Sequence, residues 1–151
     1  MAFFPTLESA GDGVAAIAAA GLSPVTLELM DRFTIRAVDD VHQLGLDRDA
    51  AAMLVVESDL PGAAATDELT RGEAACVVAG ATTTVRSQTA AEADLLRQAR
   101  RAAHWALEKL GEVKMEDVGV PRARVPDMLR AVEAIAARYD VRIGTFGHAG
   151  D

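Results

Sequence analysis

The sequence predicts an α+β domain, in which helices pack on a β-sheet. Short runs with strand periodicity alternate with longer stretches of helical periodicity, in the order βαβαβαβ up to residue 87. A last helix and a last strand then follow. Half of the 151 residues (50%) are hydrophobic, which is enough for one domain with its own core. We therefore expect a single domain over residues 1–151.

The first part of the chain predicts two strands and two helices. The apolar run Ala2–Phe4 is typical of a short strand, and residues 6–20 keep helical spacing up to Gly21. Alternation over residues 25–30 predicts a second strand with one buried face. Asp31 can cap the following helix, whose apolar positions share one face: Phe33, Ala37, Val38 and Val41.

The middle of the chain predicts a central strand over residues 53–56, which are apolar and partly β-branched. An Ala-rich helix over 64–78 follows, and residues 82–87, rich in Thr and Val, predict another strand. Cys76 is the only cysteine, so no internal disulfide can form, and a reducing, intracellular location is the simplest expectation. We interpret Cys76 as a small buried filler rather than a reactive thiol.

The longest helix is predicted to begin at the capping box of Thr89 and Glu92 and to end near Leu110. Arg100 falls beside the edge of its apolar stripe, and His104 lies one turn further along the same flank. An arginine at such an edge either points into a cleft, half buried, or snorkels with its head in water. Spacing alone favours the snorkelling arginine. The other basic residues of this helix are expected on solvated faces: Arg97, Arg101 and Lys109.

Two adjacent carboxylates, Glu116 and Asp117, lead into an extended stretch before the last helix. They could serve as acid and base, but neighbouring residues of an extended chain point to opposite faces. One structural hydrogen-bonding group and one solvated charge are therefore expected. Pro126 fits the first turn of the last helix, whose predicted buried face is Leu129, Val132, Ala136 and Tyr139.

The chain ends in a β-type run over Val141–Phe146, followed by a glycine-rich loop that carries His148. Gly147 and Gly150 leave the loop backbone free to adopt left-handed angles and to approach a ligand closely. Loops at strand ends often carry binding groups, and neutral imidazole is a common metal ligand. Since no second histidine stands at ligand spacing, an ordinary loop histidine is an equal alternative.

Composition excludes several classes of function. The formal charge of -8 and the pI near 4.8 argue against nucleic acid or an anionic membrane surface as a direct partner. No apolar run is long enough to span a bilayer, and the N-terminus lacks a signal-peptide pattern. We expect a soluble, cytoplasmic protein, with peripheral attachment at the inner membrane through electron-transfer partners as the alternative. The sequence contains no glycine-rich dinucleotide or phosphate loop and no Cys-x-x-Cys, His-Glu-x-x-His or Gly-x-Ser-x-Gly motif.

Two sequence segments near the C-terminus resemble those of a known family. They are Glu-Asp-Val-Gly-Val-Pro-Arg-Ala-Arg-Val-Pro over residues 116–126 and Arg-Ile-Gly-Thr-Phe-Gly-His-Ala-Gly-Asp over residues 142–151. Together with Phe-Phe-Pro at 3–5, the segment 24–31 and the pair Arg100–Arg101, they are similar to the C-terminal domain of FAD-linked oxidases. That family includes the glycolate oxidase FAD-binding subunit, D-lactate dehydrogenases and D-2-hydroxyglutarate dehydrogenases.

The resemblance implies a ferredoxin-like βαβ sheet with helices packed on it, which caps the FAD of a separate domain. The implied activity is hydride transfer from a small 2-hydroxy acid to FAD, and no catalytic residue is assigned. Arg100 would hold the substrate carboxylate, because a planar guanidinium meets a carboxylate through two hydrogen bonds, and His104 would face the same cleft. His148 would be the first ligand of a divalent metal, such as zinc or manganese, that orients the substrate and polarises its hydroxyl.

The chain departs from the family pattern in length. Members usually continue past Gly150 and Asp151 with Gly-Asn-Leu-His, which supplies a second histidine, and they carry an FAD-binding domain that is absent from these 151 residues. We therefore expect a truncated, partial C-terminal domain that binds neither FAD nor metal tightly and is inactive alone. Exposure of the surface that would contact the FAD-binding domain is expected to favour self-association into a homo-oligomer.

Two other functions stay open at this point. The first is a non-enzymatic ferredoxin-like binding or assembly module, in which the glycine-rich end has no chemistry. The second, metal-dependent hydrolysis, is remote because no second metal ligand is visible.

Overall fold

The computed structural model describes residues 1–150 and shows a five-stranded sheet with helices on both faces. The strands are β1 (Ala2–Phe4), β2 (Thr26–Asp31), β3 (Ala52–Glu57), β4 (Thr83–Thr84) and β5 (Phe146–His148). The helices are α1 (Leu7–Ala19), α2 (Arg32–His42), α3 (Ala63–Val78), α4 (Ala90–Arg101), α5 (Ala103–Glu108) and α6 (Val125–Tyr139), with a 3-10 turn over Arg122–Arg124.

The sheet has the ferredoxin-like arrangement. Its strand order is β4-β1-β3-β2-β5, and all neighbouring strands are antiparallel. The units β1-α1-β2 and β3-α3-β4 interleave, which is the split βαβ pattern of this fold. Helix α2 is inserted between the two units, and β5 extends the sheet beyond β2. The predicted α+β class, with helices packed on a ferredoxin-like sheet and residues 53–56 in a central strand, is confirmed.

One face of the sheet is covered by α1, α3 and α6. Thr6 caps α1, because its Oγ1 accepts a hydrogen bond from the backbone N–H of Ser9 at 3.0 Å. A Cβ at Gly11 would lie 3.0 Å from the Cα of Pro126, so glycine allows the close approach of α1 and α6. The largest buried side chains of this core are Phe4, Val14, Ile17, Leu54 and Leu129.

The opposite face is covered by α2, α4 and α5. Its core combines large side chains from the sheet and α2 with small ones from α4 and α5: Met30, Ile35, Val38, Met53, Ala99, Ala103 and Ala106. Leu27 and Leu29 of β2 are buried on the first face, while Glu28 and Met30 are buried on the second. The prediction of one buried face for β2 is therefore wrong, because helices lie on both sides of this strand.

The long helix predicted up to Leu110 is interrupted at Ala102 and forms α4 and α5. The N-cap bond of the predicted capping box is present, because Oγ1 of Thr89 accepts a hydrogen bond from the N–H of Glu92 at 3.2 Å. The Glu92 carboxylate accepts the N–H of Gln88, one residue before the cap, instead of that of Thr89. Among residues 1–150, no helix combines the length and apolar character needed to cross a membrane.

Asp31 links the start of α2 to the segment that leads into β5. Its Oδ1 accepts the N–H of Thr34 and its Oδ2 accepts the N–H of Thr145, each at 2.8 Å. Burial raises the pKa of Asp31 above its ordinary value, while these hydrogen bonds act in the opposite direction. The predicted cap is confirmed, and the same carboxylate fixes the chain immediately before β5.

The terminal strands differ from their predicted ranges. β4 contains only two residues and pairs only with the three-residue β1, so residues 82–87 do not form a full strand. Residues 141–145 are not a strand either: a Cβ at Gly144 would lie 2.9 Å from Leu107, so this segment packs against α5. His148 therefore lies within β5 rather than in a loop, and neither Gly147 nor Gly150 has a positive φ.

Helix α6 is buried only over its N-terminal half. Leu129 is 1% exposed, Val132 and Ala136 are half-buried, and Tyr139 is 63% exposed. The predicted buried face is thus wrong for Tyr139. The reason is that α6 docks on α1 near Pro126, and its last turn lies away from that contact.

Cys76 is a buried residue of α3, 1% exposed, in the core under α1. Burial raises the pKa of its thiol from 9.0 to about 11. A thiol of this pKa holds little thiolate at neutral pH, so the interpretation of Cys76 as a packing residue agrees with its surroundings.

The buried thiol predicts an alkaline loss of stability. Because its folded pKa is raised, its contribution is fully present below about pH 9 and is lost as the pH rises toward 11. We expect the free energy of unfolding of the wild type to fall by about 2 kcal/mol more than that of Cys76→Ala between about pH 8 and pH 10.5. Urea unfolding of both proteins checks this, and parallel pH profiles would contradict it.

Candidate functional site

Two of the predicted site residues, Arg100 and His148, meet at Glu28 in the middle of β2. Oε1 of Glu28 lies 2.6 Å from Nδ1 of His148, and Oε2 lies 2.8 Å from Nε of Arg100. Nη2 of Arg100 lies 2.6 Å from Nε2 of His148. We call these three residues the Glu28 cluster.

The fold places the cluster at the margin of the second face. Glu28 and His148 are opposite each other in the β2–β5 register, so their side chains point to the same side of the sheet. Ala99 is completely buried against that face, and Arg100, next in the last turn of α4, projects toward the sheet edge. Exposed side-chain fractions of 7% for Glu28, 27% for Arg100 and 63% for His148 show that the cluster opens from a buried base to solvent.

The contacts define which atoms of the cluster are engaged. They fit the imidazole tautomer with its proton on Nδ1, which then faces the carboxylate, while Nε2 accepts from Arg100. Nε of Arg100 and Oε2 of Glu28 are close but not aligned, so they form an ion pair without a hydrogen bond. Within residues 1–150, Nη1 of Arg100 makes no hydrogen bond or ion pair. One edge of the guanidinium is thus held by protein, and the other is available to an anion.

A second ion pair holds α4 to the neighbouring strand. Arg97 pairs with Glu57 at the end of β3 and with Asp94 of its own helix. Glu57 also accepts a hydrogen bond from Oγ1 of Thr26 at 3.3 Å. The expectation that Arg97 lies on a solvated face is therefore wrong: its side chain is 33% exposed because it reaches back over the sheet. Arg101 is exposed, as expected.

His104 does not contact the Glu28 cluster. It lies in α5, its side chain is 41% exposed, and its Nε2 is 3.8 Å from Oε1 of Glu108. The structure therefore brings together Arg100 and His148 but not His104, whose role in substrate binding stays a prediction.

The adjacent carboxylates Glu116 and Asp117 are both exposed in an irregular segment. Glu116 pairs with the exposed Lys114 at 2.6 Å, and this pairing lowers the pKa of the Glu116 carboxyl below its ordinary value. The expectation that one of the two would be a structural hydrogen-bonding group is not met, because both side chains are exposed and the ion pair of Glu116 is with the exposed Lys114. They form no acid and base pair around a cleft.

A metal site cannot be assembled from residues 1–150 alone. In this range no group of three or more His, Cys, Asp and Glu side chains is placed to hold a metal ion. His148 meets the carboxylate of Glu28, and both of its imidazole nitrogens already face other side chains. Zinc sites normally use at least three protein ligands. The described residues therefore do not fit a complete metal site, and metal binding by His148 stays a prediction.

Sequence reasoning missed Glu28 as a site residue. A carboxylate within the apolar strand Thr26–Asp31 is conspicuous only if both faces of that strand are buried, because a buried carboxylate then needs a cation. Interpreting β2 as half-exposed made Glu28 look like an ordinary solvated residue. The apolar side of α2 and the small residues of α4 were the signal that helices also cover the second face of the sheet.

Comparison of the whole sequence with known families identifies this domain as one of the flavin-linked oxidoreductases. The chain belongs to the family described as FAD linked oxidases, C-terminal domain, whose model matches residues 1–151.

Several relatives match all or nearly all of the chain. It is 38% identical over 152 residues to the glycolate oxidase subunit GlcD of Bacillus subtilis (strain 168), covering 100% of this chain and 32% of that protein. It is 32% identical to GlcD of Escherichia coli (strain K12), covering 100% of this chain and 30% of the relative. It is 26% identical to the D-lactate dehydrogenase of Archaeoglobus fulgidus, covering 98% of this chain and 32% of that protein. The chain thus spans about a third of the length of these relatives.

The pairing of Arg97 with Glu57 predicts that this arginine helps to hold α4 on the sheet. We expect Arg97→Ala to lower the urea midpoint of unfolding, whereas Arg101→Ala, on the exposed side of the same helix, leaves it nearly unchanged. The difference in urea midpoint between the two variants should become smaller in about 1 M NaCl, because salt screens partly exposed ion pairs. Equal midpoints for the two variants at low salt would contradict an anchoring role.

Proposed function

We propose that this chain is the substrate-binding and cap domain of a flavin-dependent 2-hydroxy-acid dehydrogenase or oxidase, of the glycolate or D-lactate type. The observation that carries the proposal is the guanidinium of Arg100, held at its Nε side by the buried Glu28 while Nη1 is unpaired within residues 1–150. A small carboxylate fits that unpaired edge.

The chemistry of Arg100 suits a carboxylate ligand. A guanidinium is permanently charged, and its planar fork donates two parallel hydrogen bonds to the two oxygens of a carboxylate. Arg100 is also only 27% exposed, so its hydrogen bonds to an anion compete with less water than those of a fully solvated side chain.

The relatives support the substrate class. Their names specify glycolate oxidase and D-lactate dehydrogenase, and both acids carry a hydroxyl on the carbon next to the carboxylate. A domain that binds the carboxylate and places the adjacent carbon serves both reactions equally. The single cation of the Glu28 cluster matches an acid with one carboxylate.

FAD would accept the hydride and is proposed to be held mainly by another domain of the parent protein. The residues described here include no glycine-rich phosphate loop, and the Glu28 cluster offers side chains for a small anion rather than for a dinucleotide. The part played by this chain is then to bind the substrate and to exclude water around it. The isolated chain is proposed to be inactive.

The proposed role of Arg100 is tested in the full-length parent protein. We expect Arg100→Ala to raise the KM for glycolate or D-lactate by about 10²-fold, since two charge-assisted hydrogen bonds are lost, with a smaller change in kcat. Arg101→Ala, the exposed neighbour on the same helix, should leave KM within about twofold. Steady-state kinetics measures both. An unchanged KM in Arg100→Ala with a normal KM in Arg101→Ala would favour a binding or assembly module instead.

A further inference from the structure

We infer that Glu28 is a positioning residue, which fixes the guanidinium of Arg100 and the imidazole of His148 so that the outer edge of Arg100 faces the substrate carboxylate. This inference rests on the proposed function of Arg100. Glu28 itself is not expected to touch the substrate, because its side chain is only 7% exposed and lies beneath its two partners.

The strand that carries Glu28 is fixed on both sides. β2 pairs with β3 through Glu28 and Val55 and with β5 through Glu28 and His148. The backbone of Glu28 is therefore held by two ladders of hydrogen bonds, and helices cover both faces of the strand. A carboxylate with this support is a rigid reference point for the side chains of Arg100 and His148.

Each carboxylate oxygen of Glu28 contacts a different side chain. Oε1 faces Nδ1 of His148, and Oε2 faces Nε of Arg100. Two contacts orient the guanidinium: the ion pair of Nε with Oε2 of Glu28 and the contact of Nη2 with Nε2 of His148, while Nη1 takes part in neither. An arginine without this partner would sample several rotamers and would lose more entropy on binding a carboxylate.

Stability alone does not account for a carboxylate in this place. Burying an ion pair costs desolvation free energy that often cancels the attraction between the charges. An apolar residue in place of Glu28 would therefore hold α4 on the sheet equally well. The same helix is already attached through Arg97 and Glu57, a pair that touches neither Arg100 nor His148. That second pair provides a matched control, because it has the same chemistry, joins the same helix to the adjacent strand and lies outside the cluster.

The test compares Glu28→Gln with Glu57→Gln in the full-length, FAD-containing protein. We expect Glu28→Gln to raise the KM for the 2-hydroxy acid about tenfold or more, with a smaller change in kcat. The inhibition constant of acetate, a carboxylate with no hydroxyl to oxidise, should rise by the same factor. Glu57→Gln should change the KM and the acetate inhibition constant by less than about twofold. Both Glu28→Gln and Glu57→Gln are expected to lower the melting temperature, since each breaks an ion pair.

A double-variant cycle separates positioning from general destabilisation. If Glu28 acts through Arg100, the effect of Glu28→Gln on acetate binding should disappear in the Arg100→Ala background. Equal constants for Glu28→Gln and Glu57→Gln would overturn the inference while Arg100→Ala still raises KM. If Arg100→Ala itself had no effect, the proposed function would fail instead. Should Glu28→Gln not fold, Glu28→Asp and Glu57→Asp provide the same comparison, with a smaller rise expected for Glu28→Asp alone and equal constants again overturning the inference.

Discussion

A carboxylate buried in a sheet must be paired with a cation, and the arrangement of this domain around Glu28 follows from that constraint. Glu28 occupies a strand whose two faces are both covered by helices. Water cannot solvate it there, so α4 supplies Arg100 and β5 supplies His148. The residues that satisfy the carboxylate are also those that the family resemblance marks for substrate and metal. The two residues that pair with Glu28 are therefore the same two that are proposed to bind substrate and metal.

The packing of the second face determines where Arg100 lies. Ala99, Ala103 and Ala106 are completely buried, and such small side chains let α4 and α5 lie close to the sheet. At that distance an arginine at the helix margin reaches a carboxylate in the neighbouring strand. Asp31 completes the geometry from the other side, because its hydrogen bond to Thr145 fixes the chain just before β5. Small shifts in either element would separate His148 from Arg100.

Local patterns predicted most of the fold, and the site was predictable only in part. Helical spacing and the caps at Asp31 and Thr89 are signals within a few residues, and the structure confirms them. The burial of Glu28 depends on α4, far along the chain, so alternation within β2 could not reveal it. The same holds for His148, which lies in a strand only because β2 offers an edge for pairing. Arg100 was indicated by resemblance, whereas its spacing alone favoured a solvated head.

The most direct test is a crystal structure of the full-length protein with a 2-hydroxy acid bound. We expect the substrate carboxylate on the outer edge of the Arg100 guanidinium, with Nε of Arg100 still beside Oε2 of Glu28. His148 should remain next to Oε1 of Glu28. A substrate carboxylate bound elsewhere, with Arg100 and Glu28 still paired and no anion at the guanidinium, would show that Arg100 does not bind the substrate.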